Sequence, residues 1–343
     1  MSAPHRKPPT LAMVAQRAGV SRATASRAYS EPHRLLAETV RRVMAAADEV
    51  GYRRATTPVV QQTKNLVLVV ADTANPFFPP MIRAVERQAD AAGYAVFLGN
   101  TDEDPAREER LLDRFTPQVD GMIIASSRMN ENVILAYAKL RPIVLVNRDL
   151  SPLPRVLIDT VSGVSEAVAH LADLGHREIT YLSGPIRSWS NGQRRDTVKR
   201  AGELRGMTVT VLSGRRSSYE VGRNSTEAVL ASGSTAVIAF DDLLAHGLMT
   251  GLAERGVSVP QELSVIGCDD VLATQTHPRL TTVSARSAEA GATAADLLIG
   301  QLAGDVPHGE CRQLLTTNLI PGATTAAPQD KPPRRRPGRP AGT

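Results

Sequence analysis

The chain has 343 residues, of which 42% are apolar and only two are cysteine. Such a chain is too apolar to be mostly disordered, lacks a disulfide framework or zinc-ligand spacing, and has room for a small module plus one or two larger lobes. Its net charge of +5 combines +7 in residues 1–64, +4 in residues 328–343 and −6 between them, which favours a polyanion as the partner of the two basic ends.

Residues 1–9 are predicted to form a flexible N-terminus. The opening segment MSAPHRKPPT lacks the apolar core of a secretory signal. No later stretch is apolar for long enough to cross a bilayer. We therefore expect a soluble, cytoplasmic protein that has no membrane partner.

The segment TLAMVAQRAGVSRATASR, which begins at Thr10, predicts two short helices joined by a tight turn. Thr10 can cap the first helix, and Gly19 stands where a left-handed residue would end it. Ser21 can cap the second helix, which presents small polar and basic side chains: Arg22, Ala23, Thr24, Ser26 and Arg27. Such a helix suits the major groove of DNA. The alternative is an ordinary helical hairpin with a solvated second helix.

A third helix is predicted over about residues 37–50 and completes a helical module that spans residues 10–54. Residues 55–65 are predicted to be a linker, because they are polar and β-branched rather than periodic. Within the linker, Thr57 as N-cap and Pro58 as first helical residue could start a short hinge helix.

Residues 66–325 alternate short apolar runs with amphipathic segments. The apolar runs predict buried parallel strands, and they are LVLVVA, YAVFLGN, GMIIAS, IVLVN, EITYLSG, TVTVLSG, AVIAF and LSVIGCDD. Repeated strand–helix units over this length predict two lobes, each an open parallel sheet with helices on both faces. Ligands of such folds bind at the carboxyl ends of the strands. Polar residues stand at these ends: Asp72, Asn100, Ser126, Asn147, Ser183, Asp241 and Asp269.

Residues 326–343 are predicted to form a disordered basic tail, because they are rich in proline, arginine and glycine. Gly338, Arg339 and Pro340 match the centre of an AT-hook, whereas Pro337 stands where such a hook has arginine. Two interpretations remain open. The tail either lies in a narrow A·T minor groove or adds only non-specific attraction to DNA.

Ten motifs in the same order resemble the lactose-repressor (LacI) family, which joins a helix-turn-helix headpiece to a two-lobed domain like that of sugar-binding proteins. They are VAQRAGVSRATASR, DEVGYR, NPFF, GNTDEDP, VDG, LGHREI, GP, DDLLAHG, GCDD and PRLTTV. The resemblance covers residues 10 to about 325. It implies an α-helical helix-turn-helix headpiece plus an α/β, periplasmic-binding-protein-like domain with open parallel sheets over residues 66–325.

The resemblance implies a homodimer on a double-stranded DNA operator, with one recognition helix in each half-site. By position, Arg22 and Ala23 would read bases, and Arg27 would reach a guanine edge or, alternatively, a phosphate. Val59 and Val60 are the candidates for the apolar residue that this family wedges into the minor groove. The implied DNA-binding residues are Thr10, Ser21, Arg22, Ala23, Thr24, Ser26, Arg27, Tyr52 and Val60.

The resemblance also implies a small-molecule effector between the lobes. A sugar-like ligand is the default, because hydroxyl-rich ligands suit carboxylates and arginine. The implied effector-binding residues are Asn75, Phe77, Phe78, Asn147, Ser188, Ser190, Arg194, Asp241 and Asp269, of which Ser188, Ser190 and Arg194 are assigned to a loop of the second lobe. Phe77 has an alternative role in the core, and Asp242 and Asp270 are expected to cap or brace a helix.

Two other functions are weighed against a regulator. A solute-binding protein shares the body, but it would need a signal sequence and would lack the basic headpiece. An enzyme could use the Asp241–Asp242 or Asp269–Asp270 doublet, but adjacent residues at a strand end point in different directions and form no acid–base pair. The sequence has no nucleophile elbow, P-loop or metal cluster. We therefore expect a transcriptional repressor with no enzymatic activity, cofactor or metal, and a sensor without a specific operator is the alternative.

Overall fold

The computed structural model describes residues 10–30, 35–52, 63–214, 216–305 and 309–329. Contacts divide the chain into two compact units, Met1–Gln62 and Thr63–Thr343, which we call the headpiece and the body. The division falls inside the predicted linker. Several predictions lie outside the described residues: the N-terminus over 1–9, the hinge with Thr57, Pro58, Val59 and Val60, and the tail from residue 330 onward.

Three helices form the headpiece: α1 (Leu11–Ala18), α2 (Arg22–Ser30) and α3 (Ala37–Val50). Thr10 caps α1 by accepting a hydrogen bond from the Met13 N–H at 3.4 Å, and Gly19 ends it with a left-handed φ of +64°. Ser21 Oγ accepts from the Thr24 N–H at 3.0 Å and caps α2. These local bonds confirm the predicted pair of helices and their tight turn.

The core of the headpiece is built from small side chains. Helix α3 follows Leu36, which provides no side-chain cap, and is ended by Gly51, whose φ is +67°. Alanine and valine residues from all three helices are buried together: Val14, Ala15, Ala18, Ala25, Ala28, Val43, Ala46 and Ala47. Small residues allow close helix approach, and burial of Ala25 and Ala28 fixes which side of α2 faces solvent.

The first lobe of the body is a parallel sheet covered by helices on both faces. Its strands are β1 (Asn65–Val70), β2 (Ala95–Asn100), β3 (Gly121–Ala125), β4 (Ile143–Val146), β5 (Arg155–Asp159) and β11 (Arg312–Thr316), and its helices are α4 (Phe78–Ala91), α5 (Pro105–Phe115), α6 (Glu131–Ala138) and α12 (Ser287–Ala303). The strand order is β11-β5-β4-β3-β1-β2. Along β1, Leu66 and Leu68 enter one hydrophobic core, and Val67 and Val69 enter the core on the opposite face.

The second lobe repeats this architecture. Its strands are β6 (Glu178–Leu182), β7 (Thr208–Leu212), β8 (Ala236–Ala239), β9 (Ser264–Asp269), β10 (Thr281–Ser284) and β12 (Leu319–Ile320), and its helices are α7 (Thr160–Asp173), α8 (Trp189–Glu203), α9 (Tyr219–Asn224), α10 (Thr226–Ala231) and α11 (Asp242–Ala253). The order is β12-β10-β9-β8-β6-β7, with β12 antiparallel to β10. The predicted pair of open, mostly parallel sheets is confirmed.

Three segments of the chain cross between the lobes, after β5, β10 and β11. Thr317 Oγ1 donates to the Asp159 carbonyl at 2.5 Å and accepts from the Gly163 N–H at 3.1 Å. The Ser284 N–H donates to the Asn318 carbonyl at 2.9 Å, and the Asn318 N–H donates to Ser284 Oγ at 3.1 Å. The crossings are therefore bonded to one another and form a single hinge.

All eight predicted apolar runs are strands, but four strands (β5, β10, β11, β12) and three helices (α6, α8, α9) were not predicted. The assignment to a loop holds for Ser188 and is wrong for Ser190 and Arg194. Ser188 caps α8 by accepting from the Asn191 N–H at 3.2 Å, and the other two residues lie on that helix. The helix shows no apolar periodicity because polar Asn191 and Arg194 stand on its buried side.

Candidate functional site

One face of α2 is turned away from the headpiece core. Ala25 and Ala28 are fully buried, whereas Arg22, Ala23 and Arg27 are exposed. The two alanines are the fully buried residues in the described part of this nine-residue helix. The opposite face of the helix can therefore contact a partner. The residues that the sequence assigns to base reading therefore share the exposed face.

Ser21, Thr24 and Ser26, which the resemblance assigns to DNA, carry hydroxyl groups on or beside this helix. Ser21 and Thr24 share a hydrogen bond between their hydroxyl groups at 2.8 Å. Ser26 is partly buried, and Thr10 is exposed at the start of α1. Hydroxyl groups at helix starts are suitable donors to phosphate oxygens.

Tyr52, also assigned to DNA, is held against the headpiece. It is half-buried, packs beside the hydrophobic core and contacts Tyr29 edge-to-face with 6.3 Å between ring centroids. The structure shows the packing role of Tyr52, and its role on DNA remains a prediction. Val60, assigned to the minor groove, lies outside the described residues.

A cavity of about 40 Å³ lies in the body where the carboxyl ends of the two sheets face each other. All nine residues assigned to the effector line it: Asn75, Phe77, Phe78, Asn147, Ser188, Ser190, Arg194, Asp241 and Asp269. Four further residues that were not assigned to the effector also line it: Glu103, Ser126, Arg128 and Phe240. The structure therefore brings the predicted set together at one place, the edge at which ligands of such sheets bind.

The second lobe contributes a buried ion pair. Arg194 on α8 donates to Asp269 at the end of β9, with 2.9 Å between Nη2 and Oδ1, and both side chains are at most 6% exposed. Arg194 also donates to the Phe240 carbonyl, and its guanidinium lies 4.9 Å from the centroid of the Phe240 ring. Its Nε is buried without a hydrogen-bond partner in the described parts of the chain. A cavity-lining donor in this state can serve a ligand acceptor.

Asp241 joins the two lobes. One oxygen, Oδ1, caps α11 by accepting from the Leu244 N–H at 2.9 Å. The other, Oδ2, accepts from Asn75 Nδ2 of the first lobe at 2.9 Å and from the Ser217 hydroxyl. Burial raises the pKa of Asp241, and these three hydrogen bonds oppose the rise. Asp241 therefore holds the cavity together without a cation bonded to it among the described residues.

Asp242 points away from the cavity. Its carboxylate accepts from the Val271 and Leu272 N–H groups at 2.9 and 3.1 Å and from the Thr282 hydroxyl at 2.5 Å. A Cβ on Gly267 would lie 2.3 Å from Asp242 Oδ1, so glycine makes room for the carboxylate. The expected bracing role of Asp242 is confirmed, and the two adjacent aspartates do not form an acid–base pair.

Burial raises the pKa of Asp242 to about 7, which predicts a pH-dependent stability. The unfolded pKa is about 3.9, so between about pH 4 and 7 the folded state holds a proton that the unfolded state has lost. The Asp242 contribution to the free energy of unfolding must therefore fall as pH rises through this window, by at most about 4 kcal/mol. The Asp242→Asn variant keeps the shape of the side chain and does not titrate. The Thr282 hydroxyl can turn to accept a hydrogen bond from the new amide group. We expect denaturant unfolding at about pH 5 and pH 8 to show a smaller decline in the variant.

The matched control for this measurement is Asp270→Asn, because Asp270 is the exposed partner of the other doublet. It should follow the wild-type pH profile more closely than Asp242→Asn does. Parallel profiles for wild type and Asp242→Asn would contradict the prediction.

The first lobe contributes a second arginine–carboxylate pair. Arg128 donates to both oxygens of Glu103, at 2.6 and 3.0 Å, and to the Ser126 carbonyl at 2.6 Å. Its backbone N–H donates to the buried Glu108 carboxylate at 2.9 Å, which fixes the start of the loop. Glu103 lies within the GNTDEDP motif, so that motif was a usable signal. Arg128 follows a predicted strand by two residues, and nothing in the sequence points to its partner.

Aromatic rings line the cavity beside these charges. Phe77 and Phe78 are 6% and 5% exposed and lie edge-to-face with 5.0 Å between centroids. Both also belong to the core of the first lobe, so Phe77 has the core role that the sequence left open, while its contact with an effector remains a prediction. Asn147 Oδ1 accepts from the Ile158 N–H at 3.1 Å, which orients its amide at the end of β4. Aromatic faces beside oriented polar groups suit a compact ring that carries hydrogen-bonding substituents.

The described residues contain no group of three His, Cys, Asp or Glu side chains arranged to hold a metal ion. None of their helices is long and apolar enough to cross a membrane.

The chain matches known protein families in both units. Residues 10–55 match bacterial regulatory proteins of the lacI family, and residues 168–325 match the periplasmic binding protein-like domain. Over 331 residues the chain is 30% identical to the HTH-type transcriptional repressor CytR of Escherichia coli K12, covering 93% of this chain and 97% of CytR.

Solved structures with the same architecture include one bound to DNA and one bound to a sugar. The lac repressor dimer bound to operator and the anti-inducer ONPF is 26% identical, with a TM-score of 0.69 over 94% of this chain and 100% of that chain. The complex of the transcriptional regulator CelR with cellobiose is also 26% identical, with a TM-score of 0.69 over 92% of this chain and 99% of that chain.

Proposed function

The chain belongs to the LacI family of transcriptional regulators, and from this premise we propose that it is a repressor controlled by a small molecule. It binds an operator in double-stranded DNA as a homodimer, and a sugar-like effector between the lobes changes its affinity for that operator. The observation that carries the proposal is the packing of α2, which buries Ala25 and Ala28 and exposes the basic face.

On DNA, α2 is the recognition helix. Arg22 and Ala23 read base edges in the major groove, and Arg27 bonds a guanine through its two-pronged guanidinium. The hydroxyl groups and the remaining assigned residues position the headpiece on phosphates and in the minor groove: Thr10, Ser21, Thr24, Ser26, Tyr52 and Val60. A dimer places two such helices on a pseudo-palindromic site, which lies on the chromosome and therefore in the cytoplasm.

The effector occupies the cavity between the lobes. Its contacts come from both sheets, so binding changes the preferred arrangement of the lobes about the hinge formed near Asp159, Ser284 and Thr317. Enzymatic activity is not part of the proposal. Asp242 is engaged by backbone N–H groups and a threonine, and Asp269 is paired with Arg194, so neither aspartate doublet offers an acid–base pair.

Selection of binding sites from random duplex DNA by the full-length chain tests the proposal. We expect enrichment of a two-fold symmetric sequence that is protected in a footprint. The control is Ala25→Asp, which buries an unpaired carboxylate in the headpiece core. It should lose the selected sequence while the thermal transition of the body stays unchanged, since the units are separate.

Two results would contradict the proposal. If no sequence is enriched and all duplexes bind alike, the chain is a sensor without a specific operator. If Ala25→Asp selects the same sequence as wild type, the DNA contact lies outside the headpiece.

A further inference from the structure

The strongest unexplained feature of the cavity is a buried carboxylate to which no cation among the described residues is bonded. Asp241 is 1% exposed, and its bonded partners among the described residues are a backbone N–H, the Asn75 amide and the Ser217 hydroxyl. Buried carboxylates are normally paired with a positive group. Three neutral donors satisfy the lone pairs of Asp241 but do not neutralise its charge.

The arginines of the cavity are already committed to other carboxylates. Arg194 pairs with Asp269 at 2.9 Å, and Arg128 pairs with Glu103 through two hydrogen bonds. The described residues that line the cavity therefore contain two guanidinium groups and three carboxyl groups. With all three carboxyl groups ionised, the lining would carry one net negative charge, which an anionic ligand would increase and a cationic ligand would remove.

We propose that the effector carries a positively charged amine, as an amino sugar does, and that its ammonium group binds Asp241. The inference rests on the proposed function, because it assumes that the effector occupies this cavity. In the complex, the ammonium takes the place of the Asn75 amide as a donor to Asp241 Oδ2. Binding of the ligand thus replaces a direct bond between the lobes with one that passes through the ligand.

The other lining groups fit the rest of such a ligand. Arg194 Nε has no partner in the described parts of the chain and can donate to a ring oxygen or a hydroxyl oxygen. Phe77, Phe78 and Phe240 present aromatic rings to the same space, and rings stabilise both a sugar face and a nearby ammonium. An amino sugar combines the cation, the oxygen acceptors and the ring in one compact molecule.

The surroundings of Asp241 also predict the proton balance of binding. The titratable and charged groups around it are Tyr181 on β6, Arg194 on α8, Asp242 on α11, Cys268 and Asp269 on β9, and Glu103 and Arg128 across the cavity. Burial raises the pKa of Asp241, and the charge of Arg194 opposes the rise. A bound ammonium lowers the pKa of Asp241, so binding should release a proton where Asp241 is protonated in the free protein, and affinity should rise as pH rises through the pKa of Asp241.

Calorimetric titration with matched sugars tests the inference. The probes are glucosamine, galactosamine and mannosamine, their neutral parents glucose, galactose and mannose, and the acids glucuronate and galacturonate. We expect an amino sugar to bind at least about tenfold more tightly than its neutral parent, with no binding of the acids. Titration in two buffers of different ionisation enthalpy should show proton release on wild-type protein.

Two variants localise the effect. Asp241→Asn removes the charge and should abolish the preference for the amine, so that amino and neutral sugars bind alike. Asp242→Asn is the matched control, because it makes the same change one residue away at a carboxylate that does not line the cavity. It should keep the preference.

The outcomes separate this inference from the proposed function. Binding of a neutral or acidic sugar at least as tightly as the amine, no binding of any amino sugar, or proton uptake on binding would each overturn the inference. A neutral sugar that binds and weakens operator binding would leave the proposed function standing. Failure of operator selection would overturn the proposed function whatever the sugars do.

Discussion

Replacement of Asp269 with alanine should abolish the effector response and destabilise the body by about 3–5 kcal/mol. The Asp269 carboxylate is the partner of the buried Arg194 guanidinium, and removal of one member of a buried pair leaves the other charge without compensation. The remaining bond of Arg194 to the Phe240 carbonyl does not replace a charge. Denaturant unfolding gives the stability, and release of operator by a ligand from a screen of sugars and amino sugars gives the response.

Two further variants separate stability from ligand contact. Asp269→Asn retains an acceptor for Arg194 and suits the left-handed φ of +112° at this position, so it should lose less stability while still impairing the response. Asp270→Ala alters the adjacent exposed residue and should leave the response intact. Operator binding should survive in every folded variant, because the headpiece is a separate unit. A folded Asp269→Ala protein with a normal ligand response would remove Asp269 from the site.

The headpiece was predictable almost to the residue because its helix boundaries are set by local chemistry. Thr10 and Ser21 bond N–H groups three residues ahead, and Gly19 and Gly51 adopt the left-handed conformation that ends a helix. Each of these signals depends on neighbours within one turn, so a single sequence contains it in full.

The missed elements depend on contacts that are distant in sequence. The body-edge strand β11 is mostly exposed and has no apolar run, and it becomes a strand only by pairing with β5, about 157 residues earlier in register. Helix α8 buries Asn191 and Arg194, whose partners Ser183 and Asp269 lie on other elements. Periodicity cannot reveal a helix whose buried side is polar.

The candidate site was predictable in membership but not in pairing. Strand-end positions and the family resemblance together assigned nine of the thirteen lining residues to the effector. Strand-end position alone did not separate Asp241 from Asp242, because identical neighbours at a strand end differ only in the direction in which each points. The family resemblance was needed to assign Asp241, and not Asp242, to the effector. The bonds of Asp241 to Asn75 and of Arg128 to Glu103 span loops whose conformation no local pattern specifies.

Replacement of Arg27 with alanine should weaken operator binding by about 1–3 kcal/mol for each half-site and leave binding to random DNA nearly unchanged. Arg27 lies on the exposed face of α2, and alanine is the best helix former, so the headpiece should stay folded. A loss confined to the operator is the signature of a lost base contact, since phosphate contacts act on all sequences alike. Titration of operator and random duplexes at fixed salt measures both affinities.

The charge-matched control is Arg41→Ala, which removes an exposed arginine from α3 of the same headpiece. Its effect should be similar on both duplexes, because a distant charge acts only through general attraction. Base recognition by Arg27 also predicts that the variant accepts substitution of one guanine in each half-site at little further cost, whereas wild type loses affinity. Equal losses of Arg27→Ala on operator and random DNA would assign Arg27 to a phosphate and leave sequence reading to Arg22 and Ala23.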